Sequence, residues 1–300
     1  MVPFQVMTLP FPARRLFVQK TSMVDLFHMT LNSGQIREFV KSMQLKTIHY
    51  SIAIKNTLNF LKVRLNDGEK GLIVLEHVGA ITRRTRARVR FTTVHGEKLG
   101  FWADDEKPNV IYFYCMCPRR GLSSLHKHFM SMLKINEISC LDIHLEMRRP
   151  NDYFEVFELP RQVSFLRIGG EDVDWWKIRF MNDMFDRINI YYIEHPIEGL
   201  PDDISMLNTE TLLLRSSAES TNLEKVLRSS MARVYLGIQV TVEQFMSFVK
   251  EWKMSSNSTL LVVLCMELSV EDVPTQEEII AELGASRWNS ARRARIAVVE

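Results

Sequence analysis

Val163-Ser164-Phe165-Leu166-Arg167-Ile168 is one of six short apolar runs that recur through the second half of this 300-residue chain. The others are Cys140–Leu145, Ile188–Ile193, Thr211–Leu214, Arg233–Ile238 and Leu260–Leu268. Their central residues, Leu141, Leu166, Ile190, Leu213, Leu236 and Leu264, stand 25, 24, 23, 23 and 28 positions apart. Segments of helical periodicity lie between most of them. A strand-plus-helix unit repeated at this period cannot bury its apolar face alone, so neighbours must stack. The expected product is a curved solenoid with an extended recognition face rather than a catalytic cleft.

The intervening helices carry their own start signals. Thr221-x-x-Glu224, Thr241-x-x-Gln244 and Thr275-x-x-Glu278 are capping boxes, in which the hydroxyl accepts from a free backbone N–H and the Glu or Gln reaches back. After Thr241, Val242, Phe245, Met246, Val249 and Trp252 form an apolar stripe, with Glu243, Gln244, Lys250 and Glu251 on the polar side. The segment Glu171–Asp186 also reads as helix.

Working back toward the N-terminus, residues 46–118 read as mostly β. Phe60–Leu65 alternates in polarity and leads through Asn66-Asp67-Gly68 to the run Leu72–Val78. Arg86–Val94, the turn His95-Gly96-Glu97 and Lys98–Ala103 make a second hairpin candidate. Val110–Cys117 is a buried strand, and Pro118-Arg119-Arg120-Gly121 breaks the chain before the repeats. The first fifty residues differ. Leu9-Pro10-Phe11-Pro12 is expected to be extended, since each proline biases its predecessor away from helix. Ser22 caps a helix with Asp25 three positions on, and Asn32-Ser33-Gly34 ends it. A second helix, roughly Gln35–Met43, carries Ile36, Phe39, Val40 and Met43 on one side.

The bulk composition, 46% apolar and 25% charged with net charge +2, is that of a soluble globular protein. The charge is unevenly spread. Residues 1–150 hold 23 Lys/Arg against 12 Asp/Glu, and residues 151–300 hold 15 against 24. Two modules with different partners, or two halves that attract each other, both fit that asymmetry. Four cysteines make no disulfide framework, and the N-terminal Arg14 and Arg15 precede no apolar signal core. The expected location is intracellular, cytoplasmic or nuclear, with no membrane partner.

Two stretches together resemble a known family. Leu9-Pro10-Phe11-Pro12, Leu16, Met23–Leu31 with Asp25-Leu26-Phe27, Ser33 and Arg37-Glu38-Phe39-Val40-Lys41 resemble an F-box of the nematode-expanded type. Ser230–Leu268, with Phe248, Lys250 and Trp252 in the helix, resembles the F-box-associated type-2 domain. The resemblance covers about 40 N-terminal residues and much of 120–300. It implies a non-catalytic substrate-recognition subunit of an SCF-type ubiquitin ligase. A Skp-type adaptor, and through it a cullin, would sit on Leu9, Pro10, Phe11, Pro12, Leu16, Leu26 and Phe27. An unidentified protein target would sit on the C-terminal domain. Here the chain departs from the pattern. Between Leu16 and Val24 the family has a full apolar helix, and this sequence offers only Phe17–Met23. A shortened F-box leaves open a free-standing interaction module whose F-box has decayed.

Other motifs have competing readings. On a strand, Arg84, Arg86, Arg88 and Arg90 would share one face, as a phosphate-binding ladder or as a charged edge strand that resists sheet pairing. The edge-strand reading is favoured, because no aromatics alternate on that face for base stacking. Nucleic-acid binding is the further alternative. Trp175 and Trp176 are candidate partner contacts. Cys115, Cys117, His126, His128 and Cys140 suggest zinc, but the two cysteines lie in an apolar run and the two histidines diverge on a helix. No metal, cofactor or catalytic residue is assigned, since the chain has no G-x-S-x-G, P-loop, G-x-G-x-x-G or H-E-x-x-H. The expected fold is α/β. It comprises a shortened F-box-like segment (residues 1–45), a β-rich connecting region (46–120) and a leucine-rich-repeat-like solenoid (121–300).

Overall fold

A computed structural model describes residues 6–55, 59–65, 69–82, 87–103, 106–144, 159–170, 173–194, 207, 209–214, 233–240 and 263–268. It also describes residues 243, 246, 247, 250, 251, 254, 275, 277 and 281. The fold is mixed α/β with an open sheet, and the chain divides into two compact units, Met1–Glu194 and His195–Glu300.

The first unit begins with three helices: α1 (Phe11–Lys20), α2 (Met23–Asn32) and α3 (Gly34–Ser42). Phe11 and Pro12 are therefore helical, where an extended entry was expected. Pro12 lies in the first turn, where a missing N–H leaves no intrahelical bond unmade. α1 runs through Leu16 and ends at Lys20, so Phe17–Lys20, part of the stretch expected to lack a full helix, is helical. The capping signals were sound. Ser22 Oγ accepts from the Asp25 N–H at 3.1 Å and donates to its carboxylate at 2.6 Å, and Ser33 Oγ accepts from the Ile36 N–H at 3.3 Å.

Nine strands follow in this unit among the described residues. They are β1 (His49–Ile54), β2 (Asn59–Arg64), β3 (Leu72–His77), β4 (Arg90–Val94), β5 (Glu97–Ala103), β6 (Val110–Tyr114), β7 (Cys140–His144), β8 (Gln162–Gly169) and β9 (Arg187–Ile193). Two more helices, α4 (Pro118–Met132) and α5 (Trp175–Asp183), interrupt them. The spatial order is β9-β8-β7-β1-β2-β3-β6-β5-β4. The run β9-β8-β7-β1 is parallel, and β1-β2-β3 and β6-β5-β4 are antiparallel. β4 is an edge strand.

The recurring apolar runs are the parallel strands. Leu141 pairs with Leu166, and Leu166 with Tyr191, so one buried row crosses β7, β8 and β9. The row continues onto β1, where Ile52 and Ile54 lie beside Leu141 and Ile143. That continuity corrects the expected division. The boundaries placed after residues 45 and 120 both fall inside the first unit, because the β-rich stretch and the repeats share one sheet. β8, α5 and β9 form a complete strand–helix–strand unit, in which Ile178 and Met181 are fully buried and the Tyr191 hydroxyl donates to the Ile178 carbonyl at 2.9 Å. The Asp174 carboxylate caps α5, accepting from the Lys177 N–H at 3.2 Å.

Pro118-Arg119-Arg120-Gly121 starts α4 rather than merely breaking the chain. Proline at the first helical position is pre-organised for it. Gly121 is needed because a Cβ there would collide with Cys115 Sγ. α4 packs on β2, β5 and α3. Beneath it, Phe27 of α2 stacks on Phe129 of α4 at 5.5 Å and meets Phe101 of β5 edge-on at 5.6 Å.

The second unit contains β10 (Thr209–Leu214), β11 (Arg233–Val240) and β12 (Val263–Leu268), all parallel, with a register shift between Leu236 and Gln239. These are the last three apolar runs. In the segment after Thr241, Glu243, Met246, Ser247, Lys250, Glu251 and Met254 are helical, and Met246 is buried while the other five are exposed. Glu277 and Ala281 are also helical. The capping residues Thr221, Glu224, Thr241, Gln244 and Glu278, and the tail after Arg287, lie outside the described residues.

Phe27→Ala should lower stability by about 3–5 kcal/mol, the usual range for emptying a fully buried aromatic site. A urea titration followed by tryptophan fluorescence measures it. A cost below about 1 kcal/mol would show that α2 is not anchored through this ring.

Candidate functional site

The seven residues expected to face an adaptor separate into two groups. Leu26 and Phe27 are 1% and 0% exposed and belong to the protein's own core, so they are not available to a partner. The reason is the apolar stripe of α2, which the sheet and α4 cover. Pro10, Phe11, Pro12 and Leu16 are exposed and Leu9 is half-buried. Phe11 and Leu16 stand out as large apolar side chains at 54% and 56% exposure on one ten-residue helix. Phe39 supports them from below. Its ring meets Phe11 edge-on at 5.9 Å, and the Arg14 guanidinium lies 5.0 Å from the same ring.

Arg88 and Arg90 are the members of the arginine ladder among the described residues, and they do not share a strand. The pairing with β5 ends at Arg90 opposite Phe101, and Arg88 lies in an exposed turn before the strand. Arg84 and Arg86 lie outside the described residues. Arg90 and the half-exposed Phe91 do sit on an edge strand, with the Lys98 ammonium 5.4 Å from the Phe91 ring. Trp175 is half-buried in the first turn of α5, and Trp176 beside it is exposed.

A group that the sequence reading missed lies across β1, β7, β8 and β9. Asp142 accepts from Lys55 at 2.6 Å and stands 3.8 Å from Arg167. Arg167 holds Glu194 through two hydrogen bonds, of 3.2 and 2.6 Å, and His144 lies 3.7 Å from the same carboxylate. The Glu194 hydrogen bond raises the Arg167 pKa further. A cue was present. Asp142, Arg167 and Tyr192 are each 25 positions apart and each sits between apolar residues. At the repeat period they become lateral neighbours, and the Arg167 guanidinium lies 5.5 Å from the Tyr192 ring. Phe165 and Tyr192, 6.2 Å apart, add half-exposed aromatic surface on that face.

His126 and His128 both lie on α4 and are fully buried, and they face different partners. Burial keeps the Tyr50 phenol protonated, so it donates to His126 Nδ1 at 2.6 Å. The Thr30 hydroxyl donates to the Phe27 carbonyl at 2.9 Å and therefore accepts from His128 Nε2 at 3.0 Å. This leaves His128 Nδ1 buried without a partner. Burial first, then the Arg37 and His95 charges, push the His128 pKa down to about 3. The Cys115 thiol donates to the Cys117 carbonyl at 3.2 Å, and burial pushes its pKa up to about 11, which removes it as a nucleophile near neutrality.

Among the described residues no helix is long and apolar enough to cross a membrane. No protein-family model matches the chain, and no curated protein or solved structure matches it.

His128 imposes a pH dependence with a definite sign. Folded, it takes up a proton only near pH 3, whereas an unfolded histidine does so near 6.5. The unfolded chain therefore binds more protons between those values, and stability falls as pH drops from 6.5 toward 3. His128→Gln, which keeps a donor for Thr30 but does not titrate, should flatten that fall. Urea midpoints at pH 7.5 and pH 5 compare the two proteins. Identical slopes would mean that His128 is not the group that excludes the proton.

Proposed function

We propose that this chain is the non-catalytic substrate-recognition subunit of an SCF-type ubiquitin ligase. In this reading α1–α3 are its F-box and the strand–helix repeats are a leucine-rich-repeat-like solenoid of the F-box-associated type. The observation that carries the reading is α1. It displays Phe11 and Leu16 to solvent beside Pro10 and Pro12, while α2 is held in the core by Leu26 and Phe27. A helix anchored from behind and apolar in front is suited to cover a partner surface, since such patches on an otherwise polar exterior mark interaction sites. The adaptor surface is thus Leu9, Pro10, Phe11, Pro12 and Leu16, without the two buried residues.

The parallel run from β1 to β9 supports the recognition half of the reading. One face of these strands is buried, and the other carries Phe165, Ile190 and Tyr192 half-exposed beside the charges of Arg167 and Glu194. Aromatic side chains and arginine are the residues enriched at protein interfaces. The mechanism is proximity. A target on the sheet and an adaptor on α1 raise the target's effective concentration at the ligase's ubiquitin-carrying end. A bound Skp-type adaptor brings the cullin with it.

The test is co-purification with the Skp-type adaptor. The wild type should bind. Phe11→Ala with Leu16→Ala should weaken binding by about 2–4 kcal/mol, the range for central apolar anchors, with the melting temperature unchanged. Wild-type protein that is folded yet never holds the adaptor would defeat the proposal and leave a free-standing interaction module.

A further inference from the structure

A cleft of about 390 Å³ opens on the helical side of the first unit, lined by His95, Glu97, Arg120, Ser123, Ser124 and Lys127. Two local features build it. Arg120, Ser123, Ser124 and Lys127 recur at helical spacing along α4, so they share one face. Opposite them is the β4–β5 hairpin, whose two-residue turn, His95-Gly96, takes positive φ at both positions (44° and 86°). Glycine tolerates that conformation freely, and histidine is among the side chains that accept it. The turn thereby places an imidazole at the mouth and Glu97 at the base of the next strand.

The charge in this cleft is out of balance. Arg120 and Lys127 form no ion pair among the described residues, and Glu97 engages neither of them. Arg37 of α3 adds a third cation whose field reaches both His95 and His128. Both histidines respond. Burial and then the Arg37 charge depress each pKa, and Lys127 depresses that of His95 as well. His128, whose ring centroid lies 6.4 Å from that of His95, keeps its unpartnered Nδ1 in this electropositive surrounding.

We propose that this cleft binds a phosphate monoester, gripped by the Arg120 guanidinium and the Lys127 ammonium over a floor formed by Ser123 and Ser124. The chemistry favours that group over a carboxylate. A phosphate monoester carries a charge near −2 and three acceptor oxygens, which matches two cations with several N–H donors each. A single carboxylate would leave one cation uncompensated. A nucleic-acid strand would need a basic groove with stacking aromatics, and the cleft has one imidazole and no other ring. None of the residues lining the cleft belongs to α1, and its occupancy does not depend on the adaptor reading.

Isothermal titration of the full chain with inorganic phosphate and with N-acetyl-O-phosphoserine amide tests this. Binding of the amide at least as tight as that of inorganic phosphate supports the monoester, and a clear preference for the free ion would overturn it. Arg120→Ala with Lys127→Ala should weaken the favoured probe by about tenfold or more, since each removes a charge-assisted hydrogen bond. Glu97→Gln should tighten it several-fold by removing the one opposing carboxylate, a gain that misfolding cannot produce. Absence of binding by both probes, or binding indifferent to all three substitutions, would overturn the proposal.

Discussion

The stacking of Phe27 on Phe129 is the contact on which the arrangement of the first unit depends. It joins α2 to α4, and through Phe101 it joins both to β5. α4 in turn spans from β6 to β7, which have three strands between them in the sheet. One aromatic cluster thus fastens the N-terminal helices to the middle of the unit. The same cluster decides which N-terminal residues face solvent. Whatever α2 contributes to packing is withdrawn from the surface, and display is left to α1.

Buried polar groups around this cluster are arranged to keep it neutral. Tyr50 and His126 satisfy each other, and Thr30 bridges the Phe27 carbonyl to His128. A protonated imidazole at His128 would place an unpaired charge in a packed aromatic layer, a state that desolvation makes costly. The charges of Arg37 on α3 and of His95 in the hairpin turn reinforce that exclusion. The Arg37 charge that disfavours protonation of His128 also acts on His95, which lines the neighbouring cleft. The charge bias follows the two units as well. Residues 1–194 hold 28 Lys/Arg against 21 Asp/Glu, and residues 195–300 hold 10 against 15.

The parallel strands were legible because each apolar run is short, flanked by turn or helix signals, and repeated at nearly constant spacing. All six became strands within a few residues of their expected bounds. The helix caps at Ser22 and Ser33 were legible for a local reason, since a cap is read from its own neighbours. What escaped was non-local. Nothing in His49–Ile54 announces that this strand will lie beside β7 and erase the boundary expected at residue 120. Leu26 and Phe27 matched a surface motif by position, and only the approach of Phe101 and Phe129 turned them inward. The arginine-rich stretch had the alternation of a strand, yet its pairing stops at Arg90. The cleft beside α4 joins residues from a hairpin and from a helix 23 or more positions downstream, so no local pattern held it.

The charged ladder Lys55–Asp142–Arg167–Glu194 bears on how the repeats find their register. Ion pairs that are half shielded from water contribute little net stability, because desolvation offsets most of their attraction. Their effect is on the alternatives. A one-residue slip of β8 would turn Arg167 toward the buried row and expose Leu166 and Ile168. Asp142 and Arg167 therefore mark the face of β7 and β8 opposite the buried row of Leu141 and Leu166. The run Thr211-Leu212-Leu213-Leu214 of β10 lacks such a mark. Leu212 and Leu214 are buried, and Leu213 on the other side is half-buried too. A slip there would exchange leucine for leucine at small cost. The register of β7 and β8 is thus marked by their own charges, whereas the apolar run of β10 is held in register by its pairing with β11.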